Sequence, residues 1–450
     1  MKKIILTSSI FCFLILSLGL KPDGTKKILP YPILQKKLPN GLNVVTVPYD
    51  SPGLAAFFIV MRVGSREEVE VGKTGFAHFF EHMMFRGTEK YPKEKYSNAL
   101  KAIGASANAN TSIDRTVYHM TGNAAMLEKM FELESDRFMH LKYSVQDFKT
   151  EAGAVKGEYT KNYSNPLAKL NETTMDTAFE KHTYSHTTMG FFKDVVDMPN
   201  QYDYSIQFFD RFYKPEYATI IVVGDVNSEK VVALAEKYFG EWKTGNFKPE
   251  IPQEPQQTKT KYVHLQVPKF PPHLTLSYKA LPYSDSNIEV AALDLLGDVL
   301  CSERSELYKK LVIQEQKLRD LSASGNPARD ANLFEFDATL VDEANLQYTK
   351  DEIVKAIEKI KSVPVDEKFL NEIKSRTTYS FAMRMDSPDV IANSISAFTW
   401  LSGDPESINR YYALMDKVTP QDITNAAKKY LVDGSLTIST ISSGAEGNVK

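Results

Sequence analysis

Residues 246–260, NFKPEIPQEPQQTKT, are rich in proline, glutamine and charge and poor in apolar side chains. That composition suits a connecting segment, not a packed element. It therefore splits the chain into two parts, each obliged to bury a core of its own. The flanking sequence repeats a plan. FFDRFYKPEYATIIVV (Phe208 to Val223) reads as a helix end, an aromatic residue, a turn and a strand containing Thr-Ile. With a one-residue insertion, AAKKYLVDGSLTISTI (Ala426 to Ile441) reads the same way. Together, linker and echo favour two similar α/β halves. A length of 450 residues agrees with two or more domains.

Composition narrows the classes of function. Apolar content of 42% and charged content of 25% are ordinary for a globular protein, and a net charge of -3 leaves no electrostatic footprint for nucleic acid. The two cysteines, Cys12 and Cys301, make no disulfide framework. At the N-terminus, Lys2 and Lys3 precede an apolar run that ends near Leu20, with Ser17-Leu18-Gly19 supplying small residues for cleavage. This is the layout of a secretory signal peptide over 1–20, and export to the bacterial periplasm or cell envelope is expected. The alternative is an uncleaved N-terminal anchor, since the run falls just short of the ~20 residues a span requires.

Local patterns place the elements. LPNGLNVVTVPYDSPGLAAFFIVMRVGS predicts two strands, with turns at Asn40-Gly41 and Ser51-Pro52-Gly53. GASANANTSIDRTVYHMTG suits a strand pair, and YATIIVVGDV a buried strand. Helices are expected near 74–87, over Ala124 to His140, from Ser144 onward and from Ser228.

The first of these helices raises the chemical question. In TGFAHFFEHMMFRGTEKYP, large apolar residues cover nearly every direction of the helical wheel, yet His78, Glu81 and His82 lie among them. Histidines four apart share a helix face, so His78 and His82 can converge on one metal ion. Glu81, at the edge of that face, suits a general base acting on a water beside the metal. The alternative is a pair of hydrogen-bonded core histidines. A third ligand could come from SVQDFKTEAGAVKGEYTKNYSNP, which opens with Ser144 and Asp147 in capping-box spacing. Glu151 and Glu158 are two helical turns apart and face one way, as metal-site residues or as a solvated charged face. Gly153 and Gly157 are poor helix formers, and their presence predicts close approach of another backbone. HTYSH (His182 and His186) repeats the four-residue spacing and offers a second, weaker metal candidate, while His119 reads as a packed strand residue. No histidine follows His273, so histidine chemistry belongs to the first half.

His78-Phe79-Phe80-Glu81-His82 is the inverted zinc motif H-x-x-E-H. With MMFRGTEKYP, GASANANTSIDRTVYHM and DFKTEAGAVKGEYTKNYSNP following in order and spacing, the chain resembles the M16 peptidases, most closely their shorter two-domain bacterial members. The resemblance covers nearly all of the mature sequence. It implies an α+β fold of two homologous α/β halves, each a mostly antiparallel sheet packed with helices. The boundaries would be 21–245 for a zinc-binding catalytic half, 246–260 for the linker and 261–450 for a second half without metal ligands.

The resemblance also implies one Zn2+ per chain on His78, His82 and Glu158, with Glu81 as base and Glu151 supporting catalysis. Peptide would bind as an added strand at Asn108 and Ala109. The activity implied is zinc-dependent endopeptidase action on peptides or unfolded segments; the alternative is a non-catalytic peptide-binding or assembly subunit. One departure stands out. Where single-chain members carry an Arg and a Tyr that reach the substrate, this sequence has Val312 and Arg319, and Arg304 and Tyr308 are out of register. A homologous partner carrying the Arg/Tyr pair is therefore expected, making a heterodimer, with a homodimer as the alternative.

Overall fold

The computed structural model describes residues 27–445 and Val449. The expected signal peptide over 1–20 lies outside the described residues.

In the first half, β1 (Leu34–Lys37), β2 (Asn43–Pro48), β3 (Leu54–Met61), β4 (Ser106–Thr111), β5 (Thr116–Asn123) and β6 (Ala218–Gly224) form a six-stranded sheet ordered β1-β2-β6-β3-β5-β4. The two strands expected on either side of Ser51-Pro52-Gly53 are β2 and β3, but β6 is inserted between them. The sequence of β6 is apolar but for Thr219 and is buried on both faces, which suits a central strand. In the second half, β7 (Lys261–Gln266), β8 (His273–Lys279), β9 (Leu318–Gly325), β10 (Leu333–Leu340) and β11 (Leu436–Ser442) are ordered β7-β11-β8-β10-β9. This is the order of β2-β6-β3-β5-β4 repeated. Even the parallel pair recurs, β2 with β6 and β7 with β11, all other pairings being antiparallel.

Helices α1 (Phe76–Met83), α2 (Lys93–Ala102), α3 (Leu127–His140), α4 (Val145–Asn162), α5 (Pro166–Ala178), α6 (Phe192–Asp197), α7 (Tyr202–Phe212) and α8 (Ser228–Phe239) belong to the first half. The second half carries α9 (Ile288–Cys301), α10 (Glu306–Tyr308), α11 (Leu346–Ser362), α12 (Glu367–Arg384), α13 (Pro388–Ser402), α14 (Ser407–Lys417) and α15 (Pro420–Tyr430), with α10 running into a π-helical turn over Lys309–Gln314. The sequence echo falls on equivalent places, the end of α7 with β6 and the end of α15 with β11. One small difference lies at α8, where Asn227 and not Ser228 caps the helix, accepting from the Lys230 N–H at 2.9 Å.

The halves exchange helices. Ile391, Ala392 and Ile395 of α13 pack on Val45, Phe58, Val60 and Ile221 of the first sheet. Reciprocally, α5 lies on β7 and β11, with Leu170 against Val263 and Ile441. Fully burying one such aliphatic side chain is worth about 1.5–3 kcal/mol, so parting the halves would be strongly unfavourable. The expected linker is itself tied down. The Glu254 carboxylate accepts the backbone N–H groups of Glu180, Lys181 and His182 at 2.9 to 3.0 Å. It also lies 3.4 Å from Lys279 Nζ. Burial pushes the Glu254 carboxyl up, but these donors outweigh it and hold it below the ordinary value.

Candidate active site

Helix α1 is fixed before its first turn. Gly75 adopts φ +91, and a Cβ there would come within 2.9 Å of Met189 O. The N–H groups of Gly75 and Ala77 donate to the buried Glu68 carboxylate at 2.8 and 2.7 Å, satisfying donors that a helix N-terminus leaves free. Burial pushes the Glu68 carboxyl up to about 8, against the pull of those bonds. Phe76, Phe79, Phe80 and Met83 enter the core. The helix ends at Met83, short of the expected Gly87, which instead closes a turn with φ +94.

Ser144 and Asp147 form the expected capping box of α4, and Phe148, Ala152, Val155 and Tyr159 bury its inner face. This presents Glu151 and Glu158 to α1. The Glu158 carboxylate lies 3.6 Å from His78 Nε2 and 3.3 Å from His82 Nε2. The three ligand atoms lie within 4.8 Å of one another, and no other such group occurs among the described residues. Gly153 and Gly157 do not receive a backbone: open space lies over both, because they face away from the core. The close approach expected from them is absent.

Glu151 stands behind the cluster. It is 2.9 Å from His82 Nδ1 and accepts from Arg86 Nε at 2.5 Å. A proton held on Nδ1 by this carboxylate leaves the Nε2 lone pair facing His78 and Glu158. The hydrogen bond from His82 and those from Arg86 hold the Glu151 carboxyl below its usual range despite burial, and the same bond raises the His82 imidazole. Burial, and then the neighbouring His82, push His78 down to about 4. That shift favours the neutral imidazole that a metal ligand requires. Glu81 accepts from Thr111 Oγ1 at 2.6 Å, and burial raises its carboxyl. Two imidazoles and one carboxylate with a free approach fit the donor set of a catalytic zinc site.

Strand β4, at the edge of the first sheet, brings Thr111 to Glu81. Its hydrogen-bond phase follows from the Ser112 N–H donating to Arg115 O at 2.8 Å. Because antiparallel pairs alternate, Asn110–Val117 and Asn108–His119 exchange ladder bonds, whereas Ala107, Ala109 and Thr111 point N–H and C=O to the open edge. The Ala109 N–H accordingly meets the Asn108 side-chain Oδ1, at 2.9 Å. Of the two residues expected to pair with peptide, Ala109 offers ladder groups. The backbone of Asn108 is spent on β5, so it can contribute through its carboxamide.

The remaining candidates lie elsewhere. Val312 is half-buried against the second core, Arg319 is exposed on β9, and Arg304 pairs with Glu372 at 2.7 Å. His182 Nε2 is 3.0 Å from Asp330 Oδ2, and His186 Nδ1 is 3.1 Å from Thr187 O; they form no metal pair. His119 stacks on Phe58 with ring centroids 5.0 Å apart. Sequence reasoning did not single out Thr111, Arg86 or Glu68. Arg86 could have been suspected from its position one turn beyond His82.

The repeated fold and the inverted His-x-x-Glu-His helix facing a glutamate define a metallopeptidase-like architecture. Residues 44–190 match the model of the insulinase (peptidase family M16) domain, and residues 201–377 that of the peptidase M16 inactive domain. The chain belongs to the M16 peptidase family. It is 28% identical over 412 residues to the zinc protease PqqE of Helicobacter pylori, covering 89% of this chain and 90% of that protein. The crystal structure of a protease from Helicobacter pylori aligns with a TM-score of 0.84 at 27% identity, covering 92% of this chain and 100% of that one. The periplasmic protease PqqL from Escherichia coli shares the fold with a TM-score of 0.75 at 19% identity. There the alignment covers 92% of this chain but 48% of the longer PqqL chain.

Proposed function

We propose that the protein is a zinc-dependent endopeptidase acting on peptides or unfolded segments. One observation carries the reading: His78, His82 and Glu158 converge while Glu81, on the same helix, is tied through Thr111 to an open sheet edge. A zinc ion held by those three ligands would polarise a peptide carbonyl and acidify a water. An extended peptide pairs with the outward groups of Ala109 and its neighbours, which sets its carbonyl beside Glu81. Glu81, its carboxyl raised by burial, accepts a proton from the attacking water and returns it to the leaving amine. Glu151 keeps His82 in the required tautomer and orientation.

In this reading the chain is the metal-bearing subunit of a pair in the periplasm or cell envelope. Its partner is a homologous chain that supplies the Arg and Tyr absent at Val312 and Arg319. One point supports the pairing: at the two matching positions Val312, half-buried against the second core, has no side-chain donor, and Arg319, exposed on β9, offers no phenol. The test is fragment mapping by mass spectrometry on an unstructured peptide, with the zinc-loaded chain alone and with a candidate partner. Cleavage that rises sharply on adding the partner is expected. Full activity alone, unchanged by any partner, would contradict the pairing; no cleavage under either condition would contradict the peptidase reading.

A further inference from the structure

The histidines of the HTYSH segment do not converge into a ligand cluster among the described residues, yet the segment's alternate side chains reach three different parts of the molecule. His182 Nε2 meets Asp330 Oδ2 at 3.0 Å, on the β9–β10 turn of the second half. Tyr184 Oη donates to Asp114 Oδ1 at 2.7 Å, on the turn joining β4 and β5, and accepts the Asp330 N–H at 3.2 Å. His186 Nδ1 lies 3.7 Å from Glu68, the carboxylate that caps α1.

The second half completes the assembly. The Arg329 N–H donates to Asp114 Oδ2 at 2.7 Å, so both oxygens of this buried carboxylate are held. Arg329 Nη1 donates to Glu67 Oε1 at 2.8 Å, and Asp330 accepts from Arg66 Nε at 2.6 Å. Asp114 is three residues from Thr111, the group that holds Glu81. Asp114, Glu67, His182 and Tyr184 are buried and paired, Arg66, Arg329 and Asp330 are partly buried, and only Arg329 Nε and His186 Nε2 lack partners. The bonds that are made favour one arrangement, which ties the end of the substrate edge to the segment before the metal helix.

We infer that Tyr184, with Asp330 of the second half, positions the β4–β5 hairpin for substrate, so that the half without metal ligands controls peptide affinity. This rests on the peptidase reading. Tyr184 and Asp330 are positioning residues, since neither side chain reaches Glu81 or the ligand trio. Tyr184→Phe keeps the ring and removes the hydroxyl from between Asp114 and Asp330. Asp330→Asn acts from the other half and provides a second variant should the first fold poorly.

The experiment measures binding of a fluorescein-labelled unstructured peptide to zinc-loaded Glu81→Gln protein, in which cleavage cannot intervene. Adding Tyr184→Phe or Asp330→Asn should weaken the Kd about tenfold, the scale of one hydrogen bond to a charged group. Zinc content should stay at that of the parent. In the otherwise wild-type enzyme the loss should fall on KM and leave kcat within about twofold, because interactions made alike in ground and transition states act on KM. Unchanged peptide affinity in both variants, with a lowered melting temperature alone, would reduce the network to a structural role and overturn the inference. A parent that binds zinc but no peptide, both alone and with the partner that supports cleavage, would overturn it together with the peptidase reading on which it rests.

Discussion

In the proposed mechanism the five polar side chains on or facing α1 divide into three ligands (His78, His82 and Glu158), a base (Glu81) and an orienting carboxylate (Glu151), and substitutions should separate these roles. His78→Ala, His82→Ala and Glu158→Ala each remove one of three ligands, and the purified proteins should lose zinc by elemental analysis. Glu151 touches the cluster through His82 alone. Glu151→Gln should therefore keep a folded site but weaken zinc roughly 10–100-fold, as loss of an orienting partner does, measured by competition with a chelator. Unaltered affinity would remove Glu151 from the site. These roles were partly legible in the sequence. The four-residue spacing of His78 and His82 needs a helix and nothing more, so it could be read directly. The bond between Thr111 and Glu81 joins residues thirty apart through a sheet, and no local pattern announces it.

At the level of elements, the cap of α1 and the phase of β4 set the geometry of the site. Glu68 is buried and satisfies the Gly75 and Ala77 N–H groups. Glu68→Ala leaves both unpaired in the interior, at about 1–3 kcal/mol for each unsatisfied group. Urea denaturation should register that loss, and a stability equal to wild type would show the cap to be dispensable. On β4, Ala109→Pro removes an outward donor and should raise KM with little change in melting temperature. Asn108→Pro removes a bond within the sheet and should destabilise the hairpin itself. Matching effects at the two positions would contradict the assigned phase. From sequence, small residues in SANANTS marked an edge, but its phase depends on pairing with β5. Gly153 and Gly157 misled for a related reason: helix propensity records that a side chain is missing, not what occupies the space, and here solvent does.

For the whole molecule, the repeated halves were legible because the strands β6 and β11 both carry Thr-Ile after the same helix–turn entry. The insertion of β6 between β2 and β3 was not, being a long-range pairing. Nor was the fixing of the linker, since Glu254 finds its donors in a loop far away in sequence. Its pH behaviour is open to test. The folded Glu254 carboxyl lies below its ordinary value of 4.5. Its stabilising effect is therefore fully present above that value and lost as pH falls through the depressed folded pKa. Buried Glu67 and Asp114 shift the opposite way, both raised by burial, so the comparison must be between variants. Glu254→Gln should melt a few degrees below wild type at neutral pH and converge with it in acid. A gap that persists in acid would contradict the assignment.

In the proposed function the His78–His82–Glu158 cluster binds zinc for peptide hydrolysis with Glu81 as the base. The most direct measurement is zinc content and peptide turnover of wild type and Glu81→Gln, side by side, under the conditions and with the partner that give wild-type activity. Both proteins are expected to hold equal zinc, with turnover lower by about 10²–10⁴-fold in the variant, the usual contribution of a positioned base. Equal zinc with undiminished turnover by Glu81→Gln would contradict it.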